Sequence, residues 1–357
     1  MRGKVLVAGF ATRHIVQSAS RAGYDVCAVD HFCDQDLLWY TSDHISFDEL
    51  EELPDAISRM TAEHVFDMLV LTSGAEEILS PVPVCGSSRE IVNRFLDKLD
   101  IQHFFENIPV PAPRLARKDE SPVMVKPRRG AGGWRNAVIH NVDELTLWES
   151  HYPDVPYIRQ ELIKGIPASV CCFTNGTTAR AIAVNEQILR GQGESAYGFS
   201  GSVTPIEHPH AARMLALAEQ IAAASGCRGT IGVDFVLATD GPYAIEINPR
   251  FQGTVDTVEA AYECNLFEFH VNACQGMLPI QQKPVRFAAR SILFADNDLR
   301  LEVDLKKLSP LVADIPWPGT FFEKDQAIVS VYGTGASRDE ALSVLDKNIS
   351  IVRQYMR

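Results

Sequence analysis

The sequence predicts an α/β fold at the N-terminus that passes into α+β architecture, and three observations predict it. Apolar strands alternate with helices through the first eighty or so residues, the pattern of a parallel sheet with crossover connections. A pair of alternating strands around residue 240 carries acidic and amide side chains on one face. After Gln281 the chain returns to alternating strands and closes with a helix, which reads as a C-terminal β-rich module.

Taken in order, Lys4–Ala8 is a strand, Ile15–Ala22 a helix, Asp25–Val29 a strand, Leu50–Thr61 a helix and Phe66–Leu71 a strand. Gly9 is the only glycine of the first turn, so the G-x-G-x-x-G dinucleotide fingerprint is absent. Ligands of such sheets bind beyond the carboxyl ends of the strands. Thr12 and Arg13 after the first strand, and Ser73 and Gly74 after the last, are therefore candidate substrate residues, with a plain structural turn as the alternative.

Ser87 or Ser88 offers an N-cap for a helix over Arg89–Phe105, and Pro109, Pro111 and Pro113 break the helical pattern beyond it. Val123–Pro127 is a short apolar strand whose Lys126 would be costly to bury without an anion. Gly130, Gly132 and Gly133 come next, letting backbone N–H groups approach phosphate oxygens. No G-x-x-x-x-G-K-[ST] run occurs, so this is not a P-loop. Tyr157–Gly165 runs from strand to connector, and Ala211–Ser225 is an Ala-rich helix.

Ile231–Leu237 and Tyr243–Ile247 flank the turn segment Thr239-Asp240-Gly241-Pro242 and should form a hairpin. Side chains at i and i+2 share a strand face, so Glu246 and Asn248 project together. With Asp234 opposite they make hard oxygen ligands suited to Mg²⁺, and Arg250 adds a forked cation for phosphate or carboxylate. The bland alternative is a half-buried hairpin with a solvated acidic face. Val285–Leu293 and Ala327–Val331 are later strands, and Arg338–Gln354 the closing helix. Tyr197–Ser202 is Gly/Ser-rich, read as a loop in which Ser200 is a substrate candidate; His208 and His210 lack partners at ligand spacing.

The ordered set resembles the ATP-grasp superfamily of ligases. A helix lysine (Lys98), a Pro-flanked entry, V-K-P, a glycine loop, a Q/E-E-hydrophobic hinge and D…E-x-N-P-R succeed one another between about Ser87 and Arg250. Val5–Arg13, Ser18–Tyr24 and Val331–Ala341 extend the similarity to archaeal and methylotroph carboligases related to biotin carboxylase. The resemblance implies an ATP-grasp fold with a Rossmann-like domain over 1–86, an ATP-grasp domain over 87–280 and a β-rich module over 281–357. The clamping subdomain would span about 109–170 and the metal strands about 229–250. It further implies that Lys98, Lys126, Gly130, Gly132 and Gly133 hold the phosphates of ATP. Gln160 would read the adenine amino group, and Glu161, Leu162 and Ile163 would line the hinge. Asp234, Glu246 and Asn248 would hold Mg²⁺, or Mn²⁺ in its place. Family members often carry an acid for the ribose just after the hinge glycine; Gly165-Ile166-Pro167 has none.

The implied reaction activates a carboxylate as an acyl phosphate, releasing ADP, for attack by an amine, with Lys126 and Arg250 in catalytic positions. An amino acid added in coenzyme biosynthesis is the closest analogy. A carboxylase or a kinase keeps the fold with another acceptor; a non-catalytic nucleotide-binding regulator is the alternative of a different class. Net charge of −13 argues against sequence-independent nucleic-acid binding. No apolar run approaches the roughly 20 residues needed to span a bilayer. With no signal-peptide pattern and no C-x-x-C pairing among eight cysteines, a reduced cytoplasmic setting is expected, with small-molecule partners and a homodimer compatible.

Overall fold

The computed structural model describes residues 2–130, 132–191 and 193–356; Ala131 of the glycine run, with Met1, Gln192 and Arg357, lies outside the described residues. β1 (Lys4–Gly9), α1 (Arg13–Arg21), β2 (Asp25–Asp30), β3 (Asp43–Ser46), α2 (Leu53–Glu63) and β4 (Met68–Leu71) build a parallel sheet in the order β3-β2-β1-β4. β1 and β2 are buried along nearly their whole length because helices cover both faces. Val5 and Val7 pack with Ile15 and Val16 of α1, while Leu6 and Ala8 pack with Leu53, Ile57 and Met60 of α2.

The helix expected over Arg89–Phe105 is two helices, α3 (Arg89–Asn93) and α4 (Lys98–Glu106). Asp97 causes the break. Its carboxylate accepts the Leu99 N–H at 2.8 Å as an N-cap and pairs with Arg128 at 2.6 Å, so Lys98 opens the second helix. A three-stranded antiparallel sheet comes next: β5 (Val123–Pro127), β6 (Ala137–Ile139), α5 (Val142–His151) and β7 (Tyr157–Glu161), in the order β6-β5-β7. Val123, Val125, Ile139 and Trp148 form its own small core.

The remaining elements are β8 (Ile166–Asn175), β9 (Ala179–Leu189), β10 (Phe199–Thr204), α6 (Ala211–Ser225), β11 (Arg228–Ala238), β12 (Gly241–Asn248), α7 (Val255–Tyr262), α8 (Leu266–Cys274), β13 (Phe287–Phe294), β14 (Leu299–Arg300), β15 (Val312–Ala313), β16 (Phe321–Phe322), β17 (Ala327–Gly335) and α9 (Arg338–Tyr355). An eight-stranded antiparallel sheet runs β12-β11-β8-β9-β10-β13-β17-β15. After residue 281, β13, β17 and β15 therefore continue the large sheet and β14 pairs with β16 in a two-stranded sheet; Leu293, Val329, Val331, Leu345 and Val352 belong to a core at this end. The Gly/Ser-rich segment read as a loop becomes strand from Phe199, because β9 and β13 pair with it on either side. Pairing by neighbours overrides its weak local propensity. No described helix is long and apolar enough to cross a membrane.

Candidate functional site

The expected hairpin forms from β11 and β12, with Asp234 directly opposite Glu246 and Gly232 opposite Asn248. A bulge between Asp234 and Phe235 shifts the register there, the usual means of re-aiming side chains. Like charges facing each other across a ladder are unfavourable, and three amides cushion them. Asp234 accepts Gln187 Nε2–H at 3.1 Å and Gln252 Nε2–H at 3.0 Å on one oxygen, and Asn248 Nδ2–H at 3.0 Å on the other. Burial first, then the Glu246 charge, push the Asp234 carboxyl up to about 7. Gly232 is needed where it stands: a Cβ there would meet Gln252 at 2.0 Å.

Lys126, near the end of β5, is 8 % exposed, and its ammonium makes no hydrogen bond among the described residues. Burial pushes its ammonium down to about 8; Lys98 adds to the shift, while Glu246 and Asp234 oppose it. Lys98 Nζ donates to Gly130 O at 2.7 Å and lies 3.4 Å from Glu246. It thus joins the glycine loop to the acidic hairpin. Gly132 and Gly133 line the same cavity; Gly130 is not among its described lining residues.

Gln160 on β7 is 4 % exposed. Its Nε2–H donates to Gln102 at 2.6 Å, while its Oε1 is buried without a partner. An orphaned acceptor of this kind invites a donor from a ligand. Glu161 lines the same cavity; its N–H is given to Arg114 O at 3.1 Å, and its carboxylate pairs with the Arg114 side chain at 3.3 Å. Leu162 and Ile163 continue along the cavity wall.

All of this opens onto one cavity of about 980 Å³. Its far end is walled by Arg250, Gln252 and Thr254 and by Ala11, His14, Thr72 and Ser73 from the parallel sheet. Arg250 is held by Glu76 at 2.7 Å, by Phe251 O at 3.0 Å and by Asn248 Oδ1 at 3.3 Å.

Four candidate substrate residues lie outside this lining. Thr12 is fully buried and its N–H binds Asp30; Arg13, 3 % exposed, is held by Asp256 and Asp314. Gly74 donates its N–H to Glu76 at 2.7 Å, and Ser200 turns its hydroxyl onto Ile188 O at 3.1 Å. Ser73 does line the cavity. Ala11 and Thr12 precede α1; Ala11 and His14 line the cavity, while the Thr12 N–H is taken by Asp30 and the Arg13 side chain by Asp256 and Asp314. Burial pushes the His14 imidazole down to about 4; Arg13 and Arg290 reinforce this against Asp256 and Asp314. Sequence reasoning missed His14, Gln187 and Gln252. His208 and His210 merely cap a turn, the His210 N–H donating to His208 Nδ1 at 3.2 Å.

Residues 95–254 match the family model of the ATP-grasp domain. The chain is 25% identical over 356 residues to an uncharacterized protein of Methanocaldococcus jannaschii, covering 92% of this chain and 87% of that one. Among solved structures it is similar to a biotin carboxylase–βγ-ATP complex from Campylobacter jejuni, with TM-score 0.79 and 15% identity over 99% of this chain and 91% of the other. The L-amino acid ligase of Bacillus licheniformis gives TM-score 0.71 and 16% identity, covering 98% of each chain. Against the longer pyruvate carboxylase of Rhizobium etli the TM-score is 0.78 at 14% identity, covering 97% of this chain but only 37% of that one.

Proposed function

Residues 95–254 match the ATP-grasp domain, and on that premise we propose that the chain is an ATP-dependent, ADP-forming ligase that joins a small carboxylate to an amine. One observation carries the reading. A single cavity brings together a buried unpaired lysine, an orphaned glutamine acceptor, an oxygen-rich hairpin and an arginine, with space left over at the end lined by His14. Its volume of about 980 Å³ lies at the top of the range for small-molecule sites, enough for more than one reactant. The L-amino acid ligase with the same fold supports the reaction class.

The residues present fit the nucleotide and its metal. Gln160 Oε1 would accept from the adenine amino group, relieving its buried lack of a partner. Lys126 and Lys98 would bind phosphate oxygens, whose charge offsets the burial of Lys126. Glu246, Asp234 and Asn248 would hold Mg²⁺, a cation that neutralises charge on the phosphates. In this reading residues 109–170 form the nucleotide clamp, and 1–86 supply the acceptor end.

The substrate carboxylate attacks the terminal phosphorus of ATP, and ADP leaves. Arg250 stands next to the metal-ligand strand, where its guanidinium would stabilise the oxygen charge of the acyl phosphate and of the tetrahedral adduct that the amine forms. No protein nucleophile is needed. The test is a panel of carboxylates and amines read out as ADP and phosphate. With the true acid and ATP alone, positional oxygen exchange in ATP and a hydroxamate with hydroxylamine are expected. Release of AMP and pyrophosphate would overturn the mechanism, and turnover requiring bicarbonate in place of the carboxylic acid would move the assignment to a carboxylase.

A further inference from the structure

Away from the cavity, Cys85, His270 and Cys274 meet where the segment after β4 crosses α8. Their sulfur and ring-nitrogen atoms lie within 4.8 Å of one another. Such a trio invites a zinc reading, but His270 is committed elsewhere. Its Nδ1 accepts the Thr230 N–H at 2.9 Å, which places the ring proton on Nε2, and Nε2 donates to Cys85 O at 2.9 Å. Two thiols remain, short of the four ligands of structural zinc.

The surroundings make room for those thiols. Gly229 has φ +81°, and a Cβ there would stand 2.5 Å from His270 and 2.9 Å from Cys274 Sγ. The neighbouring Cys274 draws the Cys85 thiol down against its burial, while Cys85 and burial hold the Cys274 thiol up. Cys85, and not Cys274, is among the described residues lining a small cavity, so Cys85 is the sulfur a small oxidant reaches and Cys274 the resolving one. Beside Cys85, Gly86 and His270 lies a small cavity of about 40 Å³. At roughly 10–15 Å³ per water it has room for a molecule of a few atoms.

We propose that Cys85 and Cys274 are a dithiol modification site that hydrogen peroxide oxidises to a disulfide. The Cys85 thiolate attacks a peroxide oxygen, the O–O bond breaks, and hydroxide leaves to become water, giving a sulfenic acid. Cys274 sulfur then attacks Cys85 sulfur; the S–S bond forms, the S–O bond breaks, and the hydroxyl departs as water with the Cys274 proton. Two thiols lose two electrons and one peroxide becomes two waters. The bond would tie the segment after β4 to α8, beside a cavity that Glu76 and Arg250 also line.

The full-length protein, reduced and desalted, is treated with one equivalent of hydrogen peroxide, followed by thiol counting and peptide mapping. Two of the eight thiols should disappear into a Cys85–Cys274 peptide that dithiothreitol releases. Cys274→Ser should accumulate a dimedone-trapped sulfenic acid at Cys85, and Cys85→Ser should slow thiol loss at least about tenfold, equivalent to ~1.4 kcal/mol of barrier. Preferential oxidation of other cysteines in the wild type would overturn the proposal, as would wild-type rates in Cys85→Ser. Zinc retained stoichiometrically through desalting would overturn it as well.

Discussion

Arg13 and Asp256 face each other through two parallel hydrogen bonds, Nη1 to Oδ1 at 3.0 Å and Nη2 to Oδ2 at 2.7 Å. The pair ties the first helix of the parallel sheet to α7, behind the large sheet. Arg13 Nε reaches Asp314 at 2.8 Å as well, and Tyr332 O–H donates to Asp256 at 2.7 Å. A residue that its position offers as a substrate contact is instead a clamp between two layers of the fold.

Burial works against the Asp256 charge, but Arg13 and Arg290 outweigh it and hold the carboxyl down to about 2. A depressed carboxyl stabilises the fold above its unfolded pKa of about 3.9 and loses that contribution as pH falls toward the folded value. Asp256→Asn leaves a buried guanidinium short of a partner and should cost about 3–5 kcal/mol at pH 6. In denaturant titrations the gap between wild type and variant should narrow between pH 4 and pH 2, to the extent both remain folded. A gap unchanged across that window would refute the assignment.

Glu246→Gln keeps shape and removes one hairpin charge. It should abolish Mg²⁺-dependent turnover while leaving the circular dichroism spectrum intact. Lys126→Ala should weaken ATP binding or slow phosphoryl transfer at least about tenfold, ~1.4 kcal/mol. Wild-type kinetics in either variant would remove that residue from the site.

The orphaned Oε1 of Gln160 gives a test of base selection. Gln160→Leu should raise the KM for ATP by roughly tenfold, in keeping with the 1–3 kcal/mol attached to a buried acceptor, and should narrow the preference for ATP over GTP. An unchanged ratio of kcat/KM for the two nucleotides would count against adenine at this position.

His14 should act at the other end. His14→Phe adds bulk where Ala11, Ser73 and Thr254 meet the cavity. The KM of the acid or of the amine should rise severalfold while the KM for ATP stays within about a factor of two, less than ~0.5 kcal/mol. A selective loss of ATP affinity would place the nucleotide, and not the second substrate, beside this helix.

The parts of the site that could be read in the sequence are those set by local period. Glu246 and Asn248 share a face because strand side chains alternate every two residues, and Lys126 continues its apolar strand directly. Gln187 and Gln252 reach Asp234 from β9 and from beyond β12, so only the folded sheet brings them there. A local hint is Gly232, whose missing side chain leaves room for Gln252. Beyond β1 the segment is the expected one, but Thr12 and Arg13 are taken by Asp30, Asp256 and Asp314, partners distant in sequence, and His14 lines the cavity instead. Helix Arg89–Phe105 was misjudged for a similar reason: Asp97 has a partner, Arg128, that lies 31 residues away.

The large sheet has a further consequence for anyone wishing to shorten the chain. The matched span of residues 95–254 stops before β13, which pairs with β10 from Gly201 to Thr204. A truncation there would strip the partner from β10 and bare a row of unused N–H and C=O groups next to apolar Val203. Strand edges of that kind recruit other chains. Such an excised fragment should self-associate, and its insolubility would say nothing about whether it can hold a nucleotide.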